Sequence, residues 1–248
     1  MSSAAPELSI VIPFHNEGPN VAALLAELEA AVVALGVPAE VIAVDDGSRD
    51  DTGTQLDNAA LRRSFLRVLR LPKNGGQAAA LLAGFAAARA PWIAMMDGDG
   101  QNPPAELPKL WAARESADMI IGYRAARHDS WLRRTMSRVA NAVRRSLLRD
   151  GARDTGCSLK LFRREVLGSF LPLRTLYSFL PAFAVWNGWR VREIPVDHRP
   201  RRAGRSHYGL GVMFWRPFFD LLALSWILRR QLPRAVRPPS DPTAAGRH

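Results

Sequence analysis

The sequence predicts an α/β domain, a mostly parallel sheet with helices on both faces. Three observations carry this. Apolar, strand-like runs alternate with stretches of helical periodicity over the first 124 residues. Strands separated by helices need crossovers, which run the strands parallel and cover the sheet on both sides. At 248 residues and 48% apolar, the chain suits one large domain with appendages, not a disordered or polytopic membrane protein.

The elements follow in order. Leu8-Ser-Ile-Val-Ile-Pro-Phe14 reads as a buried strand, and Val21 to Leu35 has apolar residues at helical spacing. Glu40 to Val44 is a second strand, with a helix through Thr52–Phe65 after it. Leu66–Leu71 is a third strand, followed by an alanine-rich helix from Gln77 to Arg89. Trp92 to Met96 is a fourth strand. Pro104–Arg114 is a short helix opened by proline, which suits a first turn. Met119 to Ile121 is a fifth strand.

After Arg124 the alternation fails. Trp131–Arg149 reads as a basic amphipathic helix, and a mixed segment runs to Pro200. Residues 1–208 are expected to form one catalytic unit, divided at residue 124 into a donor half and an acceptor half. Leu210 to Leu228 is apolar almost all round, interrupted by Arg216 and Asp220. Charges at the bilayer centre are costly, so this stretch does not read as a simple span. Pro217 is expected to break it into one or two helices over 209–232, lying in a membrane interface. Phe214, Trp215, Phe218, Phe219 and Trp226 would face lipid, with Arg229 and Arg230 beside anionic head groups. A buried core helix is the competing reading. The Pro- and Arg-rich tail, 233–248, is expected to be disordered.

Charge divides along the same line. Residues 1–120 hold 9 Lys+Arg and 15 Asp+Glu, a net of −6, and residues 121–248 hold 25 and 8, a net of +17. Of the 25 later cations, 24 are arginine, whose planar fork suits phosphate. The basic half should meet an anion. Nucleic acid is disfavoured, because the acidic front half would repel a phosphate backbone and no recognition-helix or zinc-finger pattern is present. A single cysteine, Cys157, excludes an intrachain disulfide and reads as a small core residue. Met1 to Glu7 is too short and small-residue rich for a secretory signal.

Two acidic clusters sit where strands run out: Asp45-Asp46-Gly-Ser48 and Asp97-Gly-Asp-Gly-Gln101. One such cluster is often only a turn former. Two at the same sheet edge, where ligands of open α/β sheets bind, point to chemistry. Asp97, Asp99 and Gln101 alternate with glycines, so their oxygens can converge on one hard cation, Mg2+ or Mn2+. No P-loop and no G-x-G-x-x-G follows the first strand, which instead runs into Pro13-Phe-His-Asn-Glu17.

These three motifs, in this order over about 125 residues, resemble family 2 glycosyltransferases with a GT-A-type fold. More narrowly, Gly122-Tyr-Arg124, Arg133 with Ser137, Asp154-Thr-Gly156 with Lys160, and Arg202-Ala-Gly-Arg-Ser206 resemble the polyprenyl-phosphate (dolichol-phosphate) sugar transferases. The resemblance implies that Pro13, Glu17, Asp45 and Asp46 contact the nucleoside. It implies that Asp97, Asp99 and Gln101 hold the metal and sugar diphosphate. Arg124, Arg133 and Ser137 would hold the acceptor phosphate. Arg202, Arg205 and Ser206 would close over the diphosphate, with His207 in place of the usual lysine.

The reaction so implied is inverting transfer from a GDP- or UDP-linked sugar to a polyprenyl phosphate, at the cytoplasmic face of a membrane. A phosphate monoester, with a second pKa of roughly 6, is mostly dianionic at neutral pH and attacks without a base. Arginines are then needed to let two anions approach. The alternative is a sugar hydroxyl acceptor, whose proton must leave, with Asp154 as the base.

Overall fold

The computed structural model describes residues 5–124, 144, 146–148, 150–200 and 212–230, with side chains in the last helix from Phe219 onward. The expected basic helix lies largely outside these residues. Arg133, Ser137, Arg202, Arg205, Ser206, His207 and the tail lie wholly outside them.

The amino-terminal half follows the predicted alternation. β1 is Leu8–Phe14, α1 Gly18–Leu35 and β2 Ala39–Asp45. Next come α2, Thr52–Ala60, β3, Leu66–Arg70, and α3, Gln77–Ala87. β4 is Trp92–Met95. A 3-10 turn over Pro104–Glu106 leads into α4, Leu107–Ala112, and then β5, Met119–Arg124. The sheet is completed by β6, Lys160–Arg163, and β7, Val191–Val196, with α5, Leu176–Trp186, between them. Last is α6, Val212–Arg230.

The seven strands lie in the order β3-β2-β1-β4-β6-β5-β7. All pairings are parallel except those of β6, which runs antiparallel to both β4 and β5. Alternate residues of β1 feed opposite cores. Leu8, Ile10, Ile12 and Phe14 join α1, α2 and α4, while Val11 joins α3, α5 and α6. The GT-A-type sheet with helices on both faces is therefore present.

Several boundaries differ from the sequence reading. α2 ends at Ala60 rather than Phe65, because the chain turns through residues 61–64 before β3. β6 and β7 were not anticipated. β6 is four residues long, too short for a periodic signal. β7, Val-Arg-Glu-Ile-Pro-Val, carries charges and a proline because it is the sheet's edge strand. Nor does α6 break at Pro217: the helix is continuous, forgoing the one backbone hydrogen bond that proline cannot donate. Its burial is two-sided. Leu221, Leu224 and Leu228 pack into the core, while Phe219, Leu222 and Trp226 are exposed.

Candidate active site

β1 leads outward to β2 and β3, and the chain then returns to place β4 on the other side of β1. This reversal is a topological switch point, where α/β sheets open a crevice beyond the strand ends. A cleft of about 420 Å³ lies there. Its walls are Pro13 to His15 and Glu17 at the end of β1, Asp46 after β2, Asn74, Gly76 and Gln77 at the start of α3, and Asp97 to Asp99 after β4.

The loops forming this cleft are stitched to one another. Asn16 adopts a left-handed conformation, φ 54°, its N–H donating to Ser48 Oγ (3.0 Å) and its Oδ1 accepting from Arg49 N–H (2.8 Å). His15 Nδ1 lies 2.8 Å from the Asp46 carbonyl, and Asn74 Nδ2 lies 2.8 Å from His15 Nε2. A neutral ring protonated on Nδ1 satisfies both. His15 thus shapes the loop. Gly47, φ 62°, has no room for a side chain: a Cβ would sit 2.6 Å from Asn74 N and Lys73 C. Gly98 is held equally close to Pro13 O and the Phe14 ring. Glycines at these two points let the loops at four strand ends converge.

The carboxylates occupy distinct places. Asp46 Oδ1 accepts from Gly75 N–H at 2.7 Å, and Asp97 Oδ1 from Gln77 Nε2 at 2.6 Å. Asp99 is buried, its Oδ1 accepting from Gln101 N–H at 3.0 Å. Glu17 Oε2 accepts from Asn20 Nδ2 at 2.6 Å. Asp45 is fixed by Ser48 N–H (2.9 Å) and Arg70 Nε (3.2 Å). Thus Pro13, Glu17, Asp46, Asp97 and Asp99 share the cleft, while Asp45 and Gln101 are not among the residues lining it. Gln101 contributes its backbone, the N–H to Asp99 and the carbonyl to Arg199 N–H (3.0 Å).

Four acidic side chains around one open cleft make a field that attracts cations. The donor set consists of hard oxygens, which suits Mg2+ or Mn2+. Among the described residues no three His, Cys, Asp or Glu side chains converge as a complete metal cage. Asp97 and Asp99 would supply two ligands of such an ion, the rest coming from water and substrate phosphates, a common arrangement for Mg2+.

Arg124 is placed by a different partner. Its Nε and Nη2 bind Asp154 Oδ2 and Oδ1 at 2.7 and 2.8 Å, and its N–H reaches Oδ2 at 3.2 Å. The turn after Asp154 then meets the cleft loop. Ser158 Oγ accepts from Asp97 N–H (3.2 Å) and Asn102 Nδ2 (2.6 Å). Lys160 is buried, its Nζ donating to the Cys157 carbonyl. Burial pulls the lysine down, opposed by the charges of Asp97 and Asp154. Burial also pushes the Cys157 thiol up, which fits a core residue and not a nucleophile. Asn74, Gln77, Ser158 and Asn102 were not singled out in the sequence. Only the Gly75-Gly76 pair opening α3 hinted at a loop brought close to a ligand.

The model of the family described as glycosyl transferase family 2 matches residues 9–171. The undecaprenyl-phosphate 4-deoxy-4-formamido-L-arabinose transferase of Aeromonas hydrophila is 38% identical over 206 residues, covering 82% of this chain and 63% of that protein. The dodecaprenyl-phosphate galacturonate synthase of Rhizobium johnstonii is 35% identical, covering 90% of this chain and 68% of that one. The chain thus spans about two thirds of the length of these relatives. Among solved structures, glucosyl-3-phosphoglycerate synthase from Mycobacterium tuberculosis, in complex with Mn2+, UDP-glucose and phosphoglyceric acid, shares the fold. Its TM-score is 0.69 at 20% identity, covering 89% of this chain and 80% of that one. A mannosyltransferase from Pyrobaculum calidifontis, in complex with GDP-mannose and Mn2+, has a TM-score of 0.58 at 20% identity, covering 81% and 59%. With its sheet, its strand-end carboxylates and most of its length accounted for, the chain belongs to glycosyl transferase family 2.

Proposed function

We propose that this protein transfers a sugar from a GDP- or UDP-linked donor to a polyprenyl phosphate, with inversion at the anomeric carbon. The observation that carries this is the Arg124–Asp154 pair. Asp154, the carboxylate that would serve a hydroxyl acceptor as base, has both oxygens turned to Arg124. A dianionic phosphate needs no base, and needs a fixed guanidinium near its path. The names of the relatives, which are polyprenyl-phosphate sugar transferases, support the same acceptor.

In this reading Pro13, Glu17 and Asp46 line the seat of the nucleoside, and Asp45 braces the turn that carries Asp46. Asp97 and Asp99, with Gln101 beside them, hold Mg2+ or Mn2+, which when bound offsets charge growing on the leaving diphosphate. Asp154 fixes Arg124 in one rotamer, and Arg124, Arg133 and Ser137 receive the acceptor phosphate. Arg202, Arg205 and Ser206 cover the diphosphate and exclude water. The acceptor carries a lipid, and the exposed Phe219, Leu222 and Trp226 of α6 supply an apolar face for the membrane surface. Arg230 stacks on Trp226 at 4.6 Å, and Arg229 ends the same helix, which fits an anionic cytoplasmic leaflet.

The test is direct. The protein is incubated with a short polyprenyl phosphate, Mg2+ or Mn2+ and a panel of nucleotide sugars. The panel includes the 4-deoxy-4-formamido-L-arabinose and galacturonate donors that the relatives' names suggest. A lipid-linked sugar phosphodiester, detected by mass spectrometry and cleaved by mild acid, is the expected product. Transfer only to sugar hydroxyls would refute the proposal.

A further inference from the structure

One arginine outside every motif joins three distant parts of the chain. Arg199 Nη2 pairs with Glu27 Oε2 on α1 at 2.7 Å, and its Nε donates to the Gly100 carbonyl at 2.6 Å. Its backbone N–H donates to the Gln101 carbonyl at 3.0 Å. Gly100 is left-handed, φ 71°, so the Asp97–Gln101 turn exposes successive carbonyls, and Arg199 supplies donors for two of them. The other end of the turn is held by Ser158, through Asp97 N–H. Asp99 lies between these two fastenings, and its own carboxylate is tied to Gln101 N–H. Arg199 also immediately precedes Pro200 and the arginine-rich stretch 201–207.

We propose that Arg199 is a positioning residue for the cation and sugar-diphosphate site. Its guanidinium braces the Gly100–Gln101 turn against α1, so that Asp99 keeps its inward orientation. This rests on the reading of Asp97 and Asp99 as metal ligands. The physical reason is preorganisation: a turn held at both ends loses little freedom when its carboxylate captures an ion, whereas a turn held at one end must be ordered by the ion itself. Arginine is required because its fork reaches a carbonyl and a carboxylate at once, which the single ammonium of lysine does not match.

The experiment measures Mn2+ binding by electron paramagnetic resonance, with and without nucleoside diphosphate, and thermal unfolding of the same samples. Wild type, Arg199→Ala, Arg199→Lys and Glu27→Gln are compared. Arg199→Ala should raise the half-saturating Mn2+ concentration by about 10-fold, the scale of a lost charge-assisted hydrogen bond. Nucleotide binding without metal should be unchanged. Arg199→Lys should recover the melting temperature through Glu27 but not the Mn2+ affinity. Glu27→Gln, which leaves the Gly100 bond in place, should lie between wild type and alanine. In turnover, kcat should fall and the metal requirement rise while nucleotide KM holds. Equal Mn2+ affinity in wild type and a folded Arg199→Ala, or full recovery of affinity by lysine, overturns the inference alone. No Mn2+ binding by wild type overturns the reading of the site, and this inference with it. Should Arg199→Ala fail to fold, wild-type Mn2+ affinity in Glu27→Gln and Arg199→Lys together overturns it.

Discussion

Arg124 and Asp154, thirty residues apart, form a two-pronged ion pair in which both carboxylate oxygens and both prongs of the guanidinium fork are engaged, at 2.7 and 2.8 Å. The pair joins the end of β5 to the turn that also holds the cleft loop through Ser158. A base must turn a lone pair to the incoming hydroxyl, and here those lone pairs face arginine.

Asp154→Asn should therefore behave as the loss of a brace. A reduction of about 10- to 100-fold in kcat/KM is expected, the worth of one charge-assisted hydrogen bond. Arg133→Ala should raise lipid KM and lower kcat to a similar degree, with nucleotide affinity almost unchanged. The pH–rate profiles of wild type and both variants are the measurement. A loss of several thousand-fold in Asp154→Asn, with the acidic limb gone and Arg133→Ala active, would mean a hydroxyl acceptor.

Asp97 and Asp99 face the same cleft from a turn whose backbone is pinned at both ends. Asp99→Asn should remove most activity, because a neutral amide binds a hard cation poorly. Its melting temperature should stay near wild type, since the oxygen of the new amide still accepts from Gln101 N–H. Wild-type rates in excess chelator would exclude a metal role.

The sheet edge and its chemistry were legible because they depend on local rules. Buried parallel strands read as apolar runs, and Asp45-Asp46 and Asp97-Gly-Asp99 stand out where those runs stop. What stayed hidden depends on distant pairing. β6 has four residues, and its antiparallel place between β4 and β5 is set by partners far away in the chain. Gln77 and Ser158 matter through contacts of 20 and 61 residues' separation, which no periodicity announces. Asp45 was grouped with Asp46, yet the strand's alternation turns neighbouring side chains apart, and only Asp46 lines the cleft.

Asp118, just before β5, is one of the carboxylates that contribute to stability on the acid side. Burial works to raise its pKa, but hydrogen bonds from the Arg190 side chain and N–H, with the charges of Arg190 and Arg163, outweigh it and hold the carboxyl below the usual range. A depressed folded pKa stabilises the protein above the unfolded value, and that contribution is lost as pH falls through the folded one. Asp118→Asn should lower stability at pH 7 and make it less steeply dependent on pH below about 4, where aspartate ordinarily titrates. Denaturant unfolding across that range checks it. Parallel stability curves for wild type and variant would show that Asp118 makes no such contribution.

The two faces of α6 make opposite predictions. Leu224 is fully buried in the core shared by α3 and α5, so Leu224→Ala should cost about 2–5 kcal/mol of stability through lost burial and a cavity. Phe219 and Trp226 are 61% and 59% exposed, so removing them leaves no comparable hole. A Phe219→Ser, Trp226→Ser double variant should keep the wild-type melting temperature and its nucleotide binding. Its binding to liposomes containing anionic lipid should fall by 10-fold or more, since burial of each large apolar side chain is worth about 1.5–3 kcal/mol. High salt should weaken wild-type binding further, because Arg229 and Arg230 then lose their screened attraction to the head groups. Co-sedimentation with vesicles of defined charge, set beside the melting curves, separates the outcomes. Unchanged sedimentation of a folded double variant would mean that this face serves another purpose. A double variant that unfolds would mean that these side chains are seated against protein.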